Sequence, residues 1–153
     1  MTGQPSDGIE RIVLVQCTKS KRDGEHAARD LYDESDYYCK QRAYAKAAAD
    51  VWFIQSAKYG LLRPDEVVES YNAHASNLDD PDGWAAEIAA DLVDAVGTDI
   101  TVELLGGMAY TDPLTPELER RGIEVLEPLR GKGIGQRKSA LLDMSNRSLE
   151  GYA

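Results

Sequence analysis

Four short apolar runs, each followed at once by a polar or glycine-bearing loop, constrain this chain more than any other feature. They are residues 12–16 (IVLVQ), 51–55 (VWFIQ), 100–105 (ITVELL) and 123–126 (IEVL). Each has strand length and strand composition, and the stretches between them read as helices. Residues 33–50 place Tyr37, Tyr44 and Ala48 on one face of an alanine-rich helix. Asp80-Pro81 reads as a cap followed by proline at the first helical position, with Trp84, Ile88, Leu92, Ala95 and Val96 on one stripe until Gly97. Thr115-Pro116 repeats that start and Gly122 that stop, and a last helix covers residues 135–144. Strand and helix alternate throughout. The expected fold is therefore α/β, a three-layer α/β/α domain with a four-stranded, mostly parallel sheet covered on both faces.

Parallel strands would bring the four following loops to the carboxyl edge of the sheet, where open α/β sheets bind ligands. The loops begin at Cys17-Thr18-Lys19-Ser20-Lys21, at Ser56-Ala57-Lys58-Tyr59-Gly60, at Gly106-Gly107-Met108-Ala109-Tyr110 and at Pro128-Leu129-Arg130-Gly131-Lys132-Gly133-Ile134-Gly135. A single site built from four loops is expected.

At 153 residues the chain suits one domain over residues 9–145, with tails at 1–8 and 146–153. It has no apolar run of membrane-spanning length, and residues 1–8 lack the apolar stretch of a signal peptide, so a cytoplasmic protein without a membrane partner is expected. The formal net charge of −10 argues against a nucleic-acid partner until its distribution is considered. Lys19, Lys21, Arg22, Lys58, Arg63, Arg130, Lys132, Arg137 and Lys138 lie in or beside the loops, leaving eight basic residues against twenty-seven acidic ones elsewhere. A basic pocket in an acidic shell follows. The preference for Asp over Glu and Arg over Lys is a halophilic bias, in which the acidic shell serves solvation.

Cys17 ends a strand with two lysines close behind, a setting that stabilises a thiolate nucleophile; the alternative is a small buried hydrophobe. His26 and His74 have no fixed relation to it. Lys19 and Lys21 are either anion contacts or a solvated turn. The segment from Arg130 to Arg137 combines three glycines with a helix start, which suits a phosphate or nucleic-acid backbone, with Arg130, Lys132, Gly133, Gly135 and Arg137 as contacts. Gly106-Gly107 reads as a tight turn or a ligand approach, and Tyr110 as a base-stacking or a packing residue. No cluster has metal-ligand spacing, so neither a metal nor another cofactor is expected, and Cys17 and Cys39 are expected as free thiols. The oligomeric state is not fixed by the sequence.

Residues 53–71 (FIQSAKYGLLRPDEVVESY) resemble a segment of the YaaA-type peroxide-stress proteins, with Ser56, Tyr59, Gly60, Leu62, Arg63, Pro64 and Tyr71 matching. Lys19 maps onto the lysine of their first loop. The first loop is also similar to the Pro-Cys-x-x-x-Lys signature in the glycosylase-like domain of archaeosine synthase, with Cys17 and Lys21 in register and Gln16 in place of the proline. Across nearly its whole length the chain resembles a small, functionally unassigned family carrying Leu31, Tyr32 and Ser35, Ser-Ala-Lys-x-Gly-Leu-Leu, Gly-x-x-Tyr and Pro-Leu-x-Gly-x-Gly-Ile-Gly.

These resemblances imply a uracil-DNA-glycosylase-like fold and a protein that binds a nucleobase, nucleotide or nucleic acid, as an enzyme of base or N-glycosidic chemistry. Cys17, Lys19, Lys21, Ser56 and Lys58 would supply polar contacts, proton transfer or addition to an electrophilic carbon such as a deazaguanine nitrile. Tyr59, Gly60, Arg63, Tyr71, Gly106, Gly107 and Tyr110 would join the basic loop in binding. The alternatives are a non-catalytic DNA-protecting protein of YaaA type and an enzyme of free nucleotides.

Overall fold

The computed structural model describes residues 9–72 and 77–150 and arranges them as helices on both faces of a five-stranded sheet. The central strand β1 (Arg11–Gln16) lies between β3 (Val51–Ser56) and β6 (Thr101–Leu104), and β7 (Glu124–Leu126) lies beyond β6; these four are mutually parallel. The strand β1 is apolar on both faces because it feeds two cores. Val13 and Val15 face Tyr37 and Tyr44 of α2 (Asp36–Ala48) and Leu141 of α5 (Ile134–Glu150). Ile12 and Leu14 face Ile88 and Leu92 of α3 (Pro81–Val96) and Leu114 and Leu118 of α4 (Met108–Arg120). This alternation is the strand period applied to two buried faces.

The fifth strand, β4 (Gly60–Leu62), corrects the four-stranded expectation. It folds back antiparallel on β3, pairing Gly60 with Ser56 and Leu62 with Ile54. The turn is made by Gly60 at φ +73° and by the Ser56 hydroxyl, which accepts from the backbone N–H groups of Lys58 and Tyr59 at 3.2 and 3.0 Å. A small antiparallel pair, β2 (Glu25–Ala27) with β5 (Val67–Glu69), lies outside the main sheet.

The helix expected at 33–50 is shorter, because Ser35 caps α2 by accepting from the Tyr38 N–H, and one separate turn, α1 (Ala28–Leu31), precedes it. Helix α3 follows the reading closely: Asp80 accepts from the Gly83 N–H, Pro81 occupies the first turn and Gly97 ends the helix at φ +80°. Helix α4 begins at Met108 instead of Thr115, so Pro113 and Pro116 lie within it. Each proline removes a helical N–H donor. Burial of Tyr110, Thr111, Leu114 and Leu118 along one face outweighs that loss. Helix α5 starts at Ile134 and runs to Glu150, past the boundary expected at residue 145.

Candidate functional site

Because β1, β3, β6 and β7 run in one direction, the loops that follow them all emerge at the carboxyl edge of the sheet. Side chains and backbone knit these loops together. The Cys17 N–H donates to the Gln55 carbonyl at 3.2 Å, joining the first loop to the second. The Gln16 side-chain oxygen accepts from the Gly107 N–H at 2.6 Å, and the Cys17 Sγ lies 3.2 Å from the Tyr110 hydroxyl, joining the first to the third. The fourth meets the third where the Arg137 guanidinium lies against Gly107; a Cβ on Gly107 would stand 3.2 Å from it.

The centre of the edge is a chain of phenols around a thiol. Tyr71 is linked to Tyr32 by a hydroxyl–hydroxyl contact of 2.7 Å, and it accepts from the Ser56 hydroxyl at 2.8 Å. Cys17 lies close enough to Tyr71 to act on its titration, and the Cys17 Sγ is 3.2 Å from the Tyr110 hydroxyl. Burial holds the Tyr71 phenol protonated far above the ordinary tyrosine range, and negative charge at Cys17 or Tyr32 would push it further. The Lys21 ammonium lies 4.5 Å from the centre of the Tyr71 ring. Burial lowers the pKa of Lys21, and the Cys17 sulfur opposes that shift. Burial thus favours the neutral form of both Lys21 and Tyr71 at this edge.

Two of the expected catalytic residues are tied into the structure of the edge. Cys17 is only 1% exposed, so its sulfur is closed to solvent in this conformation. The Ser56 hydroxyl donates once and accepts two backbone N–H bonds, which uses its full capacity and makes it a turn-former. Lys19 is exposed and contributes its carbonyl to Lys21 at 3.1 Å, and the exposed Lys58 lies 5.2 Å from the Tyr59 ring centre. Tyr59 itself donates to the Glu69 carbonyl and packs edge-on against Tyr71. Tyr110 is buried edge-on against Trp84 with its hydroxyl on Cys17, the packing alternative of its two readings.

The basic residues also divide. The Arg130 guanidinium is held by Glu127 at 2.6 Å and by Asp112 at 3.2 Å, which offsets its charge locally. Arg22 pairs with Asp33, and Lys138 with Asp36. Arg63 leaves the edge along β4 and lines a separate cleft with Phe53, Glu66, Asp91 and Asp94. Lys132 is exposed in the glycine loop, and Arg137 donates to the Lys132 carbonyl at 2.9 Å while its guanidinium rests 5.9 Å from the Tyr37 ring centre. Gly133 and Gly135 have open space where a Cβ would sit. Of the three glycines in this loop, Gly131, at φ +79°, is the one whose backbone conformation favours glycine.

Sequence reasoning passed over several members of the edge. Tyr32 carries the phenol chain, and its motif was visible without a role. Gln16 ends β1 and Gln55 stands one residue before the end of β3, amides where an apolar run would continue, a signal the apolar pattern obscured. Met108 and Ile134 open α4 and α5 at this edge and are 53% and 54% exposed, an apolar rim beside the charges. His26 donates from Nε2 to the Asp23 carbonyl at 2.8 Å, and His74 lies outside the described residues. No group of three or more His, Cys, Asp or Glu residues among the described residues is arranged to hold a metal.

No solved structure matches this chain. It is similar to the uncharacterized protein YfjM of Bacillus subtilis (strain 168), at 30% identity over 151 residues that cover 93% of this chain and 97% of that protein. Residues 12–143 match the family of unknown function DUF6884, a span that takes in β1 through most of α5 and all four edge loops, and the chain belongs to that family.

Proposed function

We propose that the carboxyl edge binds a nucleotide or a nucleic-acid strand and performs base or N-glycosidic chemistry on it. The observation that carries this reading is that the first three loops meet around buried Cys17 and the part-buried Tyr71 and Lys21, while Arg137 from the fourth is seated against Gly107 of the third. Lys132 and Arg137 would meet phosphate, aided by the first turn of α5, and Arg130 would add little because Glu127 and Asp112 already hold it. Tyr59, Met108 and Ile134 offer flat or apolar surface to a base. Lys21 and Tyr71 would exchange protons with the ligand. The three-layer arrangement is compatible with a uracil-DNA-glycosylase-like fold, and the resemblance to YaaA-type proteins and archaeosine synthase favours the same ligand class.

A second reading, binding without turnover, draws support from the saturated Ser56 hydroxyl and the closed Cys17 thiol. One experiment separates the readings. Fluorescence titration with a single-stranded oligonucleotide and with nucleoside monophosphates should give binding that weakens as salt rises. The double variant Lys132→Ala/Arg137→Ala should lose on the order of tenfold or more in affinity, whereas Arg130→Ala should change it by less than about threefold. Incubation with base-modified DNA and tRNA then reads turnover, and bound but unchanged substrate would select the second reading. Affinity unaltered in the double variant would reject the site.

A further inference from the structure

Two glutamines at the heart of the fold are fully buried, and they are used in opposite ways. Gln41 of α2 accepts from the Gln16 N–H at 2.8 Å and donates to the Gln16 carbonyl at 3.3 Å, so both ends of its amide serve the β1 backbone. Gln55, the penultimate residue of β3, is 0% exposed, yet neither its side-chain oxygen nor its nitrogen has a hydrogen-bond partner among the described residues. Buried amides are nearly always paired, because an unpaired one forfeits its hydration with nothing in return. An exception at the edge where four loops meet is a place to look for a ligand.

The position is specific. Gln55 lies beside Gln16 in the strand register, and its Nε2 is 3.0 Å from where a Cβ on Gly106 would sit, with the Gln16 oxygen 2.9 Å from the same point. Gly106 thus keeps a side-chain-free space against two amides. Gln16 spends its oxygen on the Gly107 N–H, which fixes the turn, and Gln55 is left with one donor and one acceptor side by side.

Resting on the function proposed above, we infer that Gln55 is the specificity-determining residue of the site: its amide reads the donor–acceptor edge of a nucleobase that enters between the Gly106-Gly107 turn and the end of β3. The complementary pattern is that of a planar lactam or amidine edge, which an amide side chain matches with two parallel hydrogen bonds. The amide is closed off in the free protein, so the Gly106-Gly107 turn must part for the base to enter. That turn is held to the strand ends by the Gln16 contact, and part of the binding energy is spent in opening it.

Calorimetric titration of the full chain with AMP, GMP, CMP, UMP and ribose 5-phosphate tests this. The wild type should bind at least one nucleotide more tightly than ribose 5-phosphate. Gln55→Met, which keeps the length and removes both polar atoms, should reduce that nucleotide to the level of ribose 5-phosphate, a loss on the order of tenfold. It should leave ribose 5-phosphate affinity unchanged. Gln55→Leu is the second variant, with a thermal melt confirming that the variant compared is folded. A folded variant that keeps the wild-type base preference overturns the inference and leaves the phosphate site standing. A wild type that binds all five compounds equally also overturns it, since the base is then not read. Failure of the wild type to bind any of them removes the proposed function and this inference with it.

Discussion

The two ends of the parallel sheet use the same kinds of residue to opposite effect. In the amino-terminal half, Glu103 is 5% exposed and its carboxylate is fully engaged: Tyr44 donates to one oxygen and Arg11 to the other at 2.6 Å, while Arg11 also donates to Tyr44 at 2.7 Å. Asp50 accepts the Glu10 and Arg11 N–H groups at 2.9 Å each, which holds its carboxyl below the ordinary aspartate range and fixes the entry of β1. At the carboxyl end the Gln55 amide has no partner among the described residues, burial lowers the pKa of Lys21, and the buried Cys17 thiol rests against the Tyr110 hydroxyl. Polar groups whose demands are met inside the protein serve stability. Those left unmet, or shifted from their usual state, are where a ligand can be the missing partner.

The largest effect that would sharpen this contrast lies in the amino half. Replacing Glu103 by Ala strands the Tyr44 hydroxyl and half-buried Arg11, and should cost about 2–3 kcal/mol of stability. Denaturant unfolding measures that loss, and nucleotide affinity should be unaltered. An affinity that falls along with stability would mean the two ends are not separable.

A smaller effect concerns the thiols. A thiol with two lysines close behind it would alkylate faster than Cys39 on condition that it is at least partly exposed. That condition is not met: Cys17 is 1% exposed, whereas Cys39 is half-buried and donates to the Asp33 carbonyl. Mass-mapped labelling near neutral pH should therefore modify Cys39 first, by about tenfold or more, since Cys17 reacts only when the edge opens. Tyr71→Ala, which removes one wall, should narrow the gap. Cys17 reacting first in the wild type would place the thiol on the open surface and break the description of the edge as closed.

How much of this was legible in the sequence follows from what each signal measures. Apolar runs located β1, β3 and β6 because largely buried strands must be continuously apolar, and the run at 123–126 located β7 although Glu124 and Leu126 are exposed; their alternation with helices implied the common direction of the loops. The short β4 was missed because Gly60-Leu61-Leu62 was read as a motif, although Gly60 after a serine is also a hairpin turn. Helix α4 was begun too late because prolines 113 and 116 read as a start, and only tertiary burial of Tyr110 and Leu114 reveals otherwise. Within the candidate site, residue type singled out Cys17, Lys21, Tyr71 and Arg137, each marked by a loop position or a motif, and the fold places them at the same edge. It could not tell which cations carry internal partners: Arg130 and Arg137 look alike in the chain, and only the fold brings Asp112 and Glu127 to the first. Nor can any pattern in the chain show that Gln55 lacks a partner while Gln41 has two.

The central claim is that ligand binding belongs to the carboxyl edge and not to the acidic surface or the saturated half. Amide chemical-shift mapping during a titration with AMP tests it most directly, at a salt concentration where the protein is folded. The account predicts that the largest shifts fall on Cys17, Gln55, Gly106, Gly107, Lys132 and Arg137, with Arg11, Asp50 and Glu103 unmoved. Shifts centred on the amino half, spread evenly over the surface, or absent at saturating nucleotide would contradict it.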